Sequence, residues 1–174
     1  MSRMFYRNRK FLEERLAQSR EEGFDSLHLP GGTSHNGEHS AFVFAWFYDF
    51  LLKEKFLLVL PYKSDYWKSE IFFFNEIKES PIQTAVREFK EETGIKISSK
   101  DLKLFHIING HSNKDGENGV IHTKYFFHYT KYLTLEQIPS EYYETLGEIS
   151  SPFMIRSSLV SHYLFSGHYA AIKK

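Results

Sequence analysis

The sequence predicts an α/β domain in which strands and helices stack as layers. Three observations predict it. Runs of strand length, dense in aromatic and aliphatic residues, recur at 41–50, 55–62, 70–77, 102–108 and 120–130. The segment 81–93 instead repeats its apolar residues at helical spacing. Further helical patterns bracket the strands at both ends, with no internal repeat and no low-complexity stretch. Helices and strands alternating along one chain pack as layers around a shared core. With 174 residues, the chain fits one domain of the usual size, about 100–200 residues.

The elements follow in order. Residues 4–21 read as an amphipathic helix, because Phe5, Leu12 and Leu16 share a face and Gly23 can stop it. Residues 29–40, rich in Pro, Gly, Ser and Asn, read as loop. The Pro30-Gly31-Gly32 within them reads as an ordinary loop turn. Residues 1–40 are therefore an N-terminal helix and loop ahead of the main domain at 41–174. The runs from 41 to 77 are nearly continuous in apolar residues, as strands covered on both faces are.

Between the last two strands, Asp115-Gly116 and Asn118-Gly119 are turn signals. That loop fails the calcium-loop pattern, since no register puts its acids at the ligand positions. A short helix at 135–138 and a helix from 156 to about 165 or beyond follow.

Composition excludes several functions. There is no cysteine, so disulfides, zinc–thiolate sites and thiol nucleophiles are out. Lys plus Arg number 22 and Asp plus Glu also 22, and this neutrality disfavours a general polyanion binder. The basic cluster Arg3, Arg7, Arg9 and Lys10 is soon balanced by Glu13, Glu14, Glu21 and Glu22, and reads as a solvated face. The longest apolar run, 41–48, falls short of the about 20 residues that cross a membrane. With no secretory leader pattern either, the expectation is a cytoplasmic protein with no membrane partner. Aromatic residues make up 17% of the chain, which favours strands and a large core.

The chemistry concentrates in 79–95. Ser80 can cap the helix, Pro81 suits its first position, Gln83 completes a capping box, and Gly94 suits its end. Ile82, Ala85, Val86 and Phe89 form the core stripe. Glu88, Glu91 and Glu92 fall at i, i+3 and i+4, so their carboxylates gather on a neighbouring flank. Like charges so placed repel by about 0.2–0.5 kcal/mol per pair. Hard divalent cations favour such oxygen clusters, and Mg²⁺ shares them with substrate phosphates. The flank thus reads as a Mg²⁺ or Mn²⁺ site, although such triplets also occur on plain solvated helices.

The whole string resembles the Nudix box. Glu79 is followed by seven residues and then by Arg87, Glu88, Phe89, Lys90, Glu91, Glu92, Thr93, Gly94 and Ile95. Every specified position from Glu79 onward agrees. The family's opening glycine, however, falls at Phe73, and the glycine before the first glutamate at Lys78. Pro30-Gly31-Gly32 looks like the missing motif but lies about 40 residues upstream, and the loop-turn reading is favoured over its replacing those glycines.

The resemblance implies a Nudix-like α/β/α sandwich with a mixed sheet between helices. It implies Glu88, Glu91 and Glu92 as metal ligands, Glu79 as their support and Arg87 as a loop-ordering ion pair. It further implies pyrophosphohydrolase activity on a nucleoside diphosphate linked to another moiety. A binding-only Nudix-like domain and an RNA 5′-end pyrophosphohydrolase are the alternatives, RNA being disfavoured by the neutral charge. A homodimer is compatible with the sequence.

An additional acid or base could come from Glu117, Glu141, Glu144 or Glu148, and the sequence does not choose among them. His35 and His39 could pair on zinc but lie in a loop. His122 and His128 share a strand face, where they could line a pocket, although a hydrogen-bonded sheet role is favoured. Tyr66 and Trp67 could stack on a base, although core packing is the default for an aromatic residue here.

Overall fold

The computed structural model describes residues 13–14, 16–17, 20–21, 23–24, 26–62, 77–111, 121–137 and 152–173. The expected strand at 70–77 therefore lies outside them, save Ile77, as do Phe73, Tyr66, Trp67, Glu117, Glu141, Glu144, Glu148 and the four N-terminal basic residues. Of the expected N-terminal helix, residues 13–14, 16–17 and 20–21 are helical, and Leu16 is buried. Gly23 follows at a left-handed φ of 93°.

The strands are β1 (Ser26–His28), β2 (Gly31–Thr33), β3 (His39–Phe44), β4 (Trp46–Asp49) and β5 (Glu54–Tyr62). After helix α1 (Pro81–Thr93) come β6 (Leu102–His111), β7 (Ile121–Tyr129) and β8 (Phe153–Arg156). Helices α2 (Val160–Tyr163) and α3 (Ser166–Ile172) close the chain.

Among the described residues these strands form two four-stranded sheets, one of them mixed as expected. One has the order β1-β5-β4, with β8 also paired to β5. The other runs β2-β3-β7-β6 and is mixed, because β3 and β7 are parallel while its other pairs are antiparallel. The predicted strand at 41–50 is broken at Ala45, where the chain leaves one sheet for the other. Ala45 keeps its carbonyl satisfied by accepting from Leu58 N–H at 3.1 Å.

Alternation along β3 and β5 creates two cores. Ala41, Val43, Phe56 and Leu58 face one side and pack with Ala85 and Phe89 of α1. Phe44, Leu57 and Val59 face the other and pack with Val160, Leu164 and Ala171 near the C-terminus. Side chains two apart along a strand share a face, so one pair of strands serves both layers. The result is the expected α/β layering, with helices against both faces.

Helix α1 begins and ends as predicted. Gln83 N–H donates to Ser80 Oγ at 3.3 Å, and Ser80 N–H donates to Gln83 Oε1 at 2.9 Å. Gly94 takes φ 74°, and its N–H donates to the Lys90 carbonyl at 2.8 Å. The core stripe also holds: Ala85 and Phe89 are fully buried, with Ile82 and Val86 packed beside them.

Three local expectations are corrected. Residues 29–40 are not simply loop, because they contain β2 and the start of β3, the strand with which β2 pairs antiparallel. The helix expected from 156 is split into a 3₁₀ turn at Ser157–Leu159, α2 and α3. The split has a tertiary cause: Leu164 bridges Leu27, and Phe165 N–H donates to the Leu27 carbonyl at 2.8 Å. At 135–137 there is a turn, and the last residue of that expected short helix lies outside the described residues.

Candidate functional site

The site starts from Glu79, just ahead of the α1 cap. Its carboxylate accepts from Arg87 Nε at 2.7 Å and Nη2 at 2.9 Å, from Thr84 Oγ1 at 2.7 Å and from His35 N–H at 3.4 Å. A two-pronged guanidinium bond fixes orientation as well as charge. These bonds, led by Arg87, hold the Glu79 carboxyl down at about 2 against an ordinary 4.5. Thr84 spends its one hydroxyl proton on Glu79, so His39 Nε2–H is the donor in the 2.9 Å bond between His39 and Thr84. Burial lowers the His39 pKa, in keeping with a neutral ring.

Arg87 joins the rest. Nη1 donates to Glu88 Oε1 at 2.9 Å and to Glu91 Oε2 at 3.1 Å, and Nη2 also donates to the Thr33 carbonyl at 3.0 Å. Glu91 is the outermost carboxylate, with its side chain 55% exposed against 16% for Glu88. Glu92 Oε1 accepts from Gly31 N–H at 2.8 Å. Burial pushes the Glu92 carboxyl up to about 8, with the charges of Glu88 and Glu91 adding to the rise. Burial also raises Glu88, opposed by Arg87.

Of the five residues expected from the box, Glu79, Arg87, Glu88 and Glu91 thus form one hydrogen-bonded network, and Glu92 is held beside it by Gly31. Three contacts come from β2, whose glycines look in sequence like the missing glycine pair yet read as a loop turn. Pro30-Gly31-Gly32 is not an ordinary loop turn: Gly31 and Gly32 belong to β2, which lies against the carboxylate flank of α1. The Pro-Gly-Gly string itself was the available signal. Its distance of more than 40 residues from Glu79 concealed its proximity in space.

The donor set suits a hard divalent cation, being all carboxylate oxygen, and the bare face of Gly32 leaves the Glu88 carboxyl room beside β2. Among the described residues, no three His, Asp or Glu side chains are gathered into a ready metal cluster. Arg87 accounts for this, since it bonds Glu88 and Glu91 itself. His35 and His39 do not form a zinc pair; one addresses Glu79 and the other Thr84. His122 has the hydrogen-bonded sheet role expected, whereas the contact of His128 is a ring stack. His122 Nε2 bonds Ser40 Oγ at 2.7 Å, and His128 stacks on Phe44 with centroids 4.8 Å apart.

A cavity of about 280 Å³ opens beside Glu92, walled by His28, Phe42 and Tyr62 among others. His28 is sandwiched between Tyr62 at 4.0 Å and Phe165 at 4.7 Å, so part of the aromatic excess builds this wall. Among the described residues no helix is long and apolar enough to cross a membrane.

The chain matches no family model and no curated protein. It is similar to a solved MutT/Nudix family protein from Enterococcus faecalis, at 15% identity and a TM-score of 0.47. That match covers 90% of this chain and 56% of the other, so the chain spans about half the length of that relative. It is also similar to RenU, a Nudix hydrolase from M. smegmatis, at 14% identity and a TM-score of 0.41, covering 81% of this chain and 89% of that one.

Proposed function

We propose that this chain is a Nudix-type hydrolase. It uses Mg²⁺ or Mn²⁺ to cleave the diphosphate of a nucleoside diphosphate linked to another moiety. One observation carries the reading: the residues of the box-like string close into one network, Glu79 to Arg87 to Glu88 and Glu91, with Glu92 braced beside them. A solvated run of glutamates has no reason to converge on a single arginine fixed at both faces.

Glu88, Glu91 and Glu92 would hold the cation, which would acidify bound water and neutralise charge on the diphosphate. In the reaction a water oxygen attacks one phosphorus and the bridging P–O bond breaks. The water's proton passes to a glutamate of the flank. The products are a nucleoside monophosphate and a phosphorylated remainder. Arg87 and Glu79 do not touch substrate in this account; they set the helix flank against β2. The aromatic cavity beside Glu92 supports a planar group on the substrate. At about 280 Å³ it is close to the lower end of small-molecule sites, about 300 Å³.

A second reading, binding without hydrolysis, is favoured by one feature: Arg87 occupies Glu88 and Glu91, and no ready three-ligand cluster is present among the described residues. Incubation with Mg²⁺ and a panel of nucleoside diphosphate conjugates separates the two. Hydrolysis releases phosphate groups that a phosphatase can remove, and Glu91→Gln and Glu92→Gln abolish that release. Tight nucleotide binding with no product would instead select the second reading. Turnover unchanged in both variants would refute the site.

A further inference from the structure

We propose that strand β2, more than 40 residues ahead of Glu79, is the backbone half of the carboxylate site and that Gly32 is its positioning residue. Three consecutive residues of this strand each address a different member of the network. Gly31 N–H donates to Glu92 Oε1 at 2.8 Å. The Thr33 carbonyl accepts from Arg87 Nη2 at 3.0 Å. Between them, Gly32 presents no side chain, and the Glu88 carboxyl occupies the space that one would take. A Cβ on Gly32 would come within 2.6 Å of Glu88 Cδ and 2.7 Å of Oε2.

The two glycines have separable duties. A Cβ on Gly31 would meet backbone, 2.2 Å from the Ala41 carbonyl oxygen and 2.7 Å from Phe42 Cα, so Gly31 is required for β2 to pair with β3. For a Cβ on Gly32 the three nearest atoms all belong to the Glu88 carboxyl, and none to the backbone. The absence of that Cβ is therefore a requirement of Glu88 rather than of the sheet. Because the box-like string opens on Phe73 instead of glycine, the glycine backbone beside the helix flank comes from β2.

This inference rests on the metal reading above for its functional meaning, but its geometry is testable without metal. The experiment uses the full chain with Gly32→Ala, Glu88→Ala and both together. Mn²⁺ affinity is read by electron paramagnetic resonance, and metal-free stability by thermal denaturation. Gly32→Ala is expected to weaken Mn²⁺ binding at least about tenfold, the size of loss typical when a group that orients a metal ligand is changed. Once Glu88 is Ala, adding Gly32→Ala is expected to change neither affinity nor melting temperature, because the methyl then has room.

If Gly32→Ala alone fails to fold, folding of the double variant still supports the proposal, and its failure overturns it. Wild-type Mn²⁺ affinity in Gly32→Ala, or an equal melting cost in both backgrounds, also overturns it. A wild-type chain that binds no Mn²⁺ defeats the metal reading, while the melting coupling still decides the role of Gly32.

Discussion

Replacing Glu79 by Gln removes the charge at the centre of the network while keeping its size. The folded-state pKa of Glu79 is about 2 against 4.5. At about 1.36 kcal/mol per unit, that difference sets a ceiling of about 3.4 kcal/mol. The guanidinium partner is 21% exposed, so solvent screening reduces the expected loss to about 2 kcal/mol at neutral pH. For a chain of this length such a loss lowers the melting temperature by about 4–8 °C.

The sign with pH follows from linkage. A depressed carboxyl stabilises the fold above its unfolded pKa and loses that contribution as pH falls through the folded value. The gap between wild type and Glu79→Gln should therefore be full above about pH 4.5 and nearly closed near pH 2. Denaturant titrations across that range measure it. A gap that is small at neutral pH, or that does not narrow in acid, would refute the claim that Arg87 and Glu79 hold α1 to β2 as an ion pair.

Other outcomes follow from the same structure. Glu92, raised to about 8, carries a proton in the metal-free fold that the unfolded chain has lost, so metal-free stability should fall as pH rises from about 4.5 to 8. Glu92→Gln should flatten that fall, and an unchanged slope would count against the burial of this carboxyl. Mn²⁺ affinity, read by titration calorimetry, should rise over the same range and level off above it, since the cation must displace that proton. Phe89→Ala, at a fully buried position, should cost about 3–5 kcal/mol in denaturant unfolding. Ser80→Ala removes the α1 cap and should cost about 1 kcal/mol by the same assay.

What the sequence made legible was local. Helix α1 could be read to the residue because its signals are short-range: Ser80 and Gln83 cap one end, Gly94 the other, and Phe89 repeats the apolar stripe. The glutamate flank followed from helical spacing for the same reason, while the ion-pair role of Arg87 came from the family resemblance. The sheet arrangement was not legible, because partnership between β3 and β7 joins segments about 80 residues apart and leaves no local mark.

The contribution of β2 was missed for a related reason. Gly31 and Gly32 look like turn residues in isolation, and only packing against the β3 backbone and against Glu88 shows why side chains are excluded there. The split between α2 and α3 likewise depends on Leu27, far away in sequence.

The central claim is that the α1 carboxylates, with a divalent cation, hydrolyse a substrate diphosphate. Its most direct test is turnover of a nucleoside diphosphate conjugate panel in ¹⁸O-labelled water, with wild type and Glu91→Gln compared side by side. The account predicts ¹⁸O in the phosphate of one product, dependent on Mg²⁺ or Mn²⁺ and absent in the variant. Label incorporated equally without the cation or in Glu91→Gln, or no product from any conjugate, would contradict it.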